Sequence, residues 1–114
     1  IINVGSLTNT PSPDMIPLFE RYNLYISFSG SVTRPNAGKV VRALAAVSNE
    51  RLVMETDTPD IYPSLPGSRE KSLNEPRNLS AIAQIAARRV NMGFEEFAAR
   101  AYNNSLNLFR SVLP

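Results

Sequence analysis

The sequence predicts an α/β fold built on parallel strands. Three short apolar runs rich in β-branched residues alternate with segments whose apolar residues recur at helical spacing, and two helical patterns end the chain. The predicted order is β-α-β-α-β, then a proline-rich loop, then two helices. Alternation of this kind is typical of parallel strands joined by right-handed crossovers. Three such strands leave both sheet edges open, so we expect them to belong to a larger unit.

The first half of the chain contains two predicted strands and one helix. Residues 1–4 are mostly apolar and predict the first strand. Ser12-Pro13-Asp14 predicts a helix start, because Ser is a good N-cap, Pro fits the first helical position and Asp favours the first turn. Residues 24–29 predict the second strand, which ends at Gly30. The apolar stripe of the intervening helix consists of Met15, Ile16, Leu18, Phe19 and Tyr22.

The second half contains three predicted helices and one strand. A helix is predicted over residues 36–47 and a buried strand over residues 51–56. Repeated prolines then predict irregular structure over residues 57–77, and loops of that length in compact domains are usually functional or disordered. Further helices are predicted over residues 78–90 and from Phe94 onward, with Arg88 and Arg89 on an exposed edge.

Composition excludes several classes of function. The net charge is +2, from 12 basic and 10 acidic side chains, which is too small to predict nucleic-acid or membrane binding by bulk charge. Cysteine and histidine are absent, so any metal held by this chain alone would need oxygen ligands. No apolar run approaches the roughly 20 residues that cross a bilayer. We therefore expect an intracellular location, in the cytoplasm, nucleus or an organelle, with no membrane partner.

Three segments together carry a resemblance to a known family. They are residues 25–30 (YISFSG), residues 51–59 (RLVMETDTP) and residues 74–76 (NEP). In order and spacing they resemble the last part of the TatD family of metal-dependent deoxyribonucleases. The resemblance implies a (β/α)8 TIM-type barrel, of which residues 1–114 would be the C-terminal segment with the last three strands. Because a complete barrel takes about 250 residues, the N-terminal barrel half would be a required partner, in the same or another chain.

The same resemblance identifies Asp57 as a catalytic residue and metal ligand. By that resemblance Asp57 stands at the carboxyl end of a barrel strand, where such active sites form, and would hold or deprotonate the attacking water. Without the resemblance, a turn cap before Pro59 is the favoured interpretation of Asp57. Glu55 lies two residues earlier in a predicted strand, so both side chains are expected on one side. We expect Glu55 behind the metal ligands, because a buried carboxylate needs partners.

Other site residues are predicted on the long loop. The resemblance places Asn74 and Glu75 near the mouth of the pocket. The alternative is that they mark the start of a helix, where the charge of Glu75 would interact favourably with the helix dipole. Arg69, Lys71 and Arg77 could contact substrate phosphates, or could simply be solvated loop cations.

One position departs from the family pattern. Asn3 stands where the family has a His near the metal, and an amide is a poor substitute for imidazole at a transition metal. This departure leaves two interpretations of function open.

In the first interpretation the parent barrel is a hydrolase that uses a divalent metal (Mg, Mn or Zn) to activate water against a phosphodiester of DNA. In the second, the barrel has lost its metal ligands and is a structural or interaction subunit of a larger assembly, with no metal here. In both, this chain alone is expected to be inactive. Any sequence preceding Ile1 would distinguish them, because the enzyme needs a His-x-His pair there.

Overall fold

The strands form one parallel sheet, as the alternation of strands and helices predicted. The computed structural model describes residues 2–4 (backbone only), 12–67 and 73–112. Strands β1 (Ile2–Val4), β2 (Ile26–Phe28) and β3 (Leu52–Met54) lie in the order β1-β2-β3. Both pairs are parallel, with Ile2 opposite Ile26 and Ile26 opposite Leu52. All three strands therefore end at the same edge of the sheet.

The described residues also form four α-helices. They are α1 (Ile16–Arg21), α2 (Gly38–Ala46), α3 (Leu79–Arg89) and α4 (Phe94–Phe109). Short 3-10 helices precede α1 at Pro13–Met15, follow β2 at Gly30–Thr33, precede α3 at Pro76–Asn78 and follow α4 at Arg110–Val112. None of the helices among the described residues is long and apolar enough to cross a bilayer.

The start of the first helix agrees with its sequence signal in part. Ser12 is extended, and its hydroxyl accepts a hydrogen bond from the Asp14 amide, as expected of an N-cap. The capped turn is a 3-10 helix, and α1 begins only at Ile16. Pro17 is tolerated there because the first amides of a helix have no intrahelical acceptor.

The hydrophobic core lies between one face of the sheet and the helices. Its fully or almost fully buried members come from every layer: Ile16, Ile26, Phe28, Val32, Leu44, Leu52, Ile82, Ala86 and Phe97. Burying side chains of this size contributes about 1.5–3 kcal/mol each relative to exposure. Several apolar residues in or next to the helices are exposed, namely Met15, Leu18 and Tyr22 of the predicted stripe, and Leu79 and Phe94. Helical spacing predicted the existence of these helices better than the width of their buried faces.

Helix α4 is fixed against the start of β3. Phe97 is fully buried, and the Asn104 side chain donates to the Asn49 and Leu52 carbonyls at 2.7 and 2.8 Å. These bonds satisfy main-chain groups at the amino end of the strand. At its opposite, carboxyl end, β3 leads into the long proline-rich loop.

Candidate functional site at the carboxyl edge of the sheet

The carboxyl ends of β2 and β3 bring small and acidic side chains together. Ser27 lies on β2 opposite Val53, and Glu55 lies two residues beyond Val53, so alternation puts these three side chains on one face. The other face, with Phe28 and Leu52, belongs to the apolar core. On this second face Ser27 and Val53 are buried, and Glu55 is half-buried.

Glu55 is the most perturbed acid of this face. Its amide donates to the Phe28 carbonyl at 2.9 Å and continues the pairing of β3 with β2. Burial raises the pKa of Glu55, a hydrogen bond with the Ser27 side chain opposes that shift, and the nearby charge of Asp57 adds to it. The two carboxylates therefore interact electrostatically at the end of one strand.

Glu55 also carries an oxygen without a partner. Its Oε1 is buried and accepts no hydrogen bond from the described residues. A buried polar atom of this kind is unfavourable unless a further group satisfies it. A cation or a donor near this carboxylate would do so, which makes the pair Glu55 and Asp57 suitable as part of a site for a hard divalent metal. In the part of the chain that the structure describes, no three His, Cys, Asp or Glu side chains cluster so that they could hold a metal ion.

Asp57 lies beyond the strand, in a turn. Strand β3 ends at Met54, and Asp57 has a φ of 58°, in the left-handed region. Alternation requires extended backbone, so it does not determine on which side the Asp57 side chain lies, and the expectation that Glu55 and Asp57 share a side stays a prediction. The Asp57 carbonyl accepts from the Asp60 amide at 2.9 Å, and the peptide bond between Thr58 and Pro59 is cis. The Asp57 side chain is half-buried.

Asn74 is hydrogen-bonded to the turn that contains Asp57. Its side chain is 4% exposed. The Asn74 Nδ2 donates to the carbonyls of Thr56, Asp60 and Ile61. Asn74, which was expected near the mouth of the pocket, thus uses its side-chain NH2 group to bind main-chain carbonyls.

The loop after Asp57 is seated on the turn that follows β2. A Cβ added to Gly30 would lie 2.9 Å from the Pro63 Cβ, so only glycine permits this approach. The Thr33 hydroxyl donates to the Gly30 carbonyl and accepts from the Ser64 amide at 2.7 Å. These contacts hold the loop over the end of β2.

The remaining predicted residues are separate from this cluster or outside the described residues. Glu75 and Arg77 are exposed and form an ion pair with each other at the Pro76–Asn78 turn. Glu75 makes no side-chain cap to that turn. Arg69 and Lys71 fall outside the described residues. Asn3 pairs with Ser27 in the sheet register, and its side chain is likewise outside what the structure describes.

Four residues of the site were not singled out as functional from sequence. Ser27, Gly30, Thr33 and Ser64 join the site through contacts between different strands and loops. The only available signal was the alternation that puts Ser27 opposite the apolar face. Locating the others required the register of β2 and β3 and the path of the loop.

Comparison with known proteins identifies the family. A family model described as TatD related DNase matches residues 9–110. The chain belongs to the TatD-related DNase family. The prediction from the motifs at residues 25–30, 51–59 and 74–76 is confirmed.

Two curated relatives extend well beyond this chain. A Bacillus subtilis (strain 168) protein named uncharacterized metal-dependent hydrolase YabD is 37% identical over 91 residues, covering 79% of this chain and 34% of its own length. An Escherichia coli K12 protein named uncharacterized metal-dependent hydrolase YcfH is 35% identical over 85 residues, covering 75% of this chain and 31% of its own. This TatD-family chain thus spans about a third of these relatives.

Solved structures give the same fold. The TatD homologue YJJV from Escherichia coli K12 matches 93% of this chain and 39% of its own, with a TM-score of 0.78 and 23% identity. A TatD-family hydrolase from Entamoeba histolytica matches 93% and 40%, with a TM-score of 0.68 and 18% identity. The chain therefore shares the α/β fold of TatD-family structures.

Proposed function

We propose that this chain is the C-terminal part of a TatD-type barrel that hydrolyses phosphodiester bonds of DNA with a divalent metal ion. The observation that carries the proposal is the pair Glu55 and Asp57, two interacting carboxylates at the carboxyl end of a parallel strand. Active sites of (β/α)8 enzymes form at this end of the strands. The names of the relatives as metal-dependent hydrolases support the metal.

Asp57 and Glu55 have different roles in this proposal. Asp57 is half-buried in a tight turn, and its carboxylate would be a metal ligand and would orient the attacking water. Glu55 is held by Ser27 and would stabilise the cation from behind, with its free Oε1 as a further acceptor. The divalent ion, Mg, Mn or Zn, would supply Lewis acidity toward the phosphodiester and an activated water.

DNA as the substrate is the finer part of the proposal. The family description supports it, as does the chemistry that oxygen-ligated divalent metals perform on phosphodiesters. Arg77, whose side chain is highly exposed, could contact a backbone phosphate if it left its ion pair with Glu75. Arg69 and Lys71 remain candidates for the same task.

The rest of the barrel is the partner that the proposal requires. Among the described residues, β3 forms one edge of the sheet. Beside it an apolar groove of about 500 Å³ runs between α3 and α4, lined by Met54, Leu79, Ala83, Phe94, Ala98 and Tyr102 among others. An adjoining strand and helix of a ring would cover both features. Since the relatives are more than twice as long as this chain, they contain enough sequence for such units.

Substitution of Asp57 tests the proposed role. In the full-length protein, Asp57→Asn should lower divalent-dependent cleavage of DNA about a hundredfold or more, because it removes an ionised ligand. Asp60→Asn is the matched control, since Asp60 is an exposed carboxylate on the same turn and should leave cleavage unchanged. Cleavage rates measured with Mg²⁺, Mn²⁺ or Zn²⁺ as the added metal test the role of Asp57. Undiminished cleavage by Asp57→Asn would exclude this role.

A second candidate function rests on the absence of histidine from the sequence. If the remaining strands also lack metal ligands, the barrel is a structural or interaction subunit without chemistry. Metal binding and DNA cleavage, both measured on the full-length protein, distinguish the two proposals. A full-length protein that binds no divalent metal and cleaves no DNA would support the structural subunit, whereas metal-dependent cleavage would exclude it.

A further inference from the structure

We infer that Asn74 is a positioning residue that fixes Asp57 at the end of β3 by binding the main chain on both sides of it. The inference rests on the proposed role of Asp57 and adds a residue that acts through it. Its basis is a set of hydrogen bonds from one buried amide, most of which reach the segment 56–61.

The donors of Asn74 enclose the Asp57 turn. The two hydrogens of Nδ2 reach the Thr56 carbonyl, immediately before Asp57, and the Asp60 and Ile61 carbonyls after it at 2.9 and 3.3 Å, so one hydrogen is shared between two of these acceptors. The Asn74 main-chain amide donates to the Pro59 carbonyl at 3.0 Å. One residue therefore binds carbonyls before and after the proposed ligand.

The acceptor of Asn74 fixes the amide in that orientation. Its Oδ1 accepts from the Glu75 amide at 2.9 Å and from the Asn78 side chain at 3.0 Å. Glu75 and Asn78 flank the 3-10 turn that leads into α3. The Asp57 turn is thereby tied to the start of a helix. Neither Asp nor Ala can replace this arrangement, because only an amide offers both two donors and an acceptor.

The turn needs such support because its backbone is unfavourable. Asp57 and Ile61 have φ values of 58° and 50°, in the left-handed region that non-glycine residues avoid, and Ile is among the least tolerant. Conformations of this kind persist only where surrounding contacts determine them. Apart from the bonds to Asn74, the turn has the bond from the Asp60 amide to the Asp57 carbonyl. Loss of the Asn74 side chain should therefore let the turn relax and move Asp57.

The chain offers a matched control at the other end of the same strand. Asn104 is also a buried side-chain amide, 5% exposed, and it donates to the Asn49 and Leu52 carbonyls where β3 begins. Replacing either Asn by Ala removes a buried amide that binds main-chain carbonyls next to β3. Only the Asn74 variant should disturb the site.

The experiment compares Asn74→Ala with Asn104→Ala in the full-length protein. One readout is amide hydrogen exchange without metal, in which the Asp60 amide reports whether the turn is intact. The other is Mn²⁺ affinity by titration calorimetry. We expect Asn74→Ala to speed exchange at Asp60 and to weaken Mn²⁺ binding about tenfold or more, as loss of groups that orient metal ligands does elsewhere. Asn104→Ala should leave both unchanged.

The outcomes separate this inference from the proposed function. Equal effects of the two substitutions, or unchanged exchange at Asp60 in Asn74→Ala, would overturn the inference. If Asn74→Ala does not fold, Asn78→Ala replaces it, because it removes only one bond to the Asn74 oxygen and should shift both readouts in the same direction, more weakly. A wild-type protein that binds no Mn²⁺ would overturn the metal role of Asp57, and exchange at Asp60 would still decide whether Asn74 holds the turn.

Discussion

At the scale of single residues, Glu55 has an energetic cost for the fold. A carboxylate taken out of water loses solvation, and the Ser27 hydroxyl restores only part of it. One of its oxygens has no partner among the described residues. Such costs are concentrated at functional sites, where selection acts on chemistry as well as on stability.

Substitution of Glu55 by Gln should stabilise the metal-free protein at neutral pH. Because the pKa of Glu55 is raised in the folded state, the protonated form favours folding, and stability falls as pH rises through the raised pKa. Gln removes this loss and can still accept a bond from Ser27. We expect a higher melting temperature for Glu55→Gln above that pH, and no difference well below the ordinary Glu pKa of 4.5.

Thermal melts across pH, with a chelator present, measure this effect. Glu50→Gln is the control, since Glu50 is exposed on the loop before β3 and should not change the profile. The charge of Asp57 also raises the pKa of Glu55. Asp57→Asn should therefore raise the melting temperature too, but by less than Glu55→Gln. A pH-independent difference between wild type and Glu55→Gln would show that ionisation of Glu55 is not the cause.

The sequence predicted that Glu55 and Asp57 follow an apolar strand, whereas their role in a site stays a prediction. Asp57 and Glu55 followed from the ETD motif after an apolar strand. The left-handed backbone of Asp57 could not be predicted, because Asp adopts it at only a minority of positions, and here the turn is bound by Asn74, which lies far away in the sequence. Likewise the partner of Glu55 depended on the register that puts Ser27 beside it.

At the scale of elements, helix α3 is tied to the turn after β2. The Arg89 guanidinium donates to the Arg34 carbonyl at 2.8 Å and to the Thr33 carbonyl at 3.4 Å. The expectation that Arg88 and Arg89 both lie on an exposed helix edge is wrong for Arg89, which is half-buried, and right for Arg88. Helical periodicity alone could not separate them, since adjacent residues differ by about 100° around a helix.

Replacement of Arg89 by Lys should destabilise the full-length protein by about 1–2 kcal/mol, since an ammonium cannot reproduce a fork that spans two carbonyls. Arg88→Lys should change stability by less than about 0.5 kcal/mol, as is usual for exposed positions. Urea denaturation of the two variants, made at adjacent positions of one helix, gives the comparison. Equal midpoints would show that the Arg89 contacts do not contribute to the fold.

The order of elements was predictable, and their ends were not. Strands β2 and β3 are shorter than predicted, because β-propensity extends past the residues that actually pair. The 3-10 helix Gly30–Thr33 was missed, since its stability depends on the Thr33–Ser64 bond and on Pro63. Local sequence specifies which segments are helix or strand, whereas long-range contacts decide where each one stops.

At the scale of the whole molecule, the described sheet has open edges and an apolar groove. Leu79, Phe94 and Tyr102 are exposed on that groove, beside an edge strand. Exposed apolar surface next to unpaired strand backbone promotes association. These features would be covered in a closed barrel, as the proposal requires.

The isolated chain of 114 residues should therefore aggregate or remain partly unfolded. Binding of a hydrophobic dye and sedimentation velocity would measure this. Phe94→Lys and Tyr102→Lys should reduce self-association, whereas Tyr22→Lys, exposed on the turn after α1 and absent from the groove lining, should not. A sharp cooperative melt from a monomeric isolated chain would contradict the expectation of an incomplete barrel.

The contact between Gly30 and Pro63 links two positions that no local pattern connects. A Cβ at position 30 would lie 2.9 Å from the Cβ of Pro63, so substitutions at the two positions should depend on each other. In a combinatorial library that randomises both codons, larger residues at position 30 should survive selection only alongside glycine at position 63, because every other residue keeps the Cβ that makes this contact. Grafting this loop onto another scaffold would accordingly require transferring the glycine turn with it.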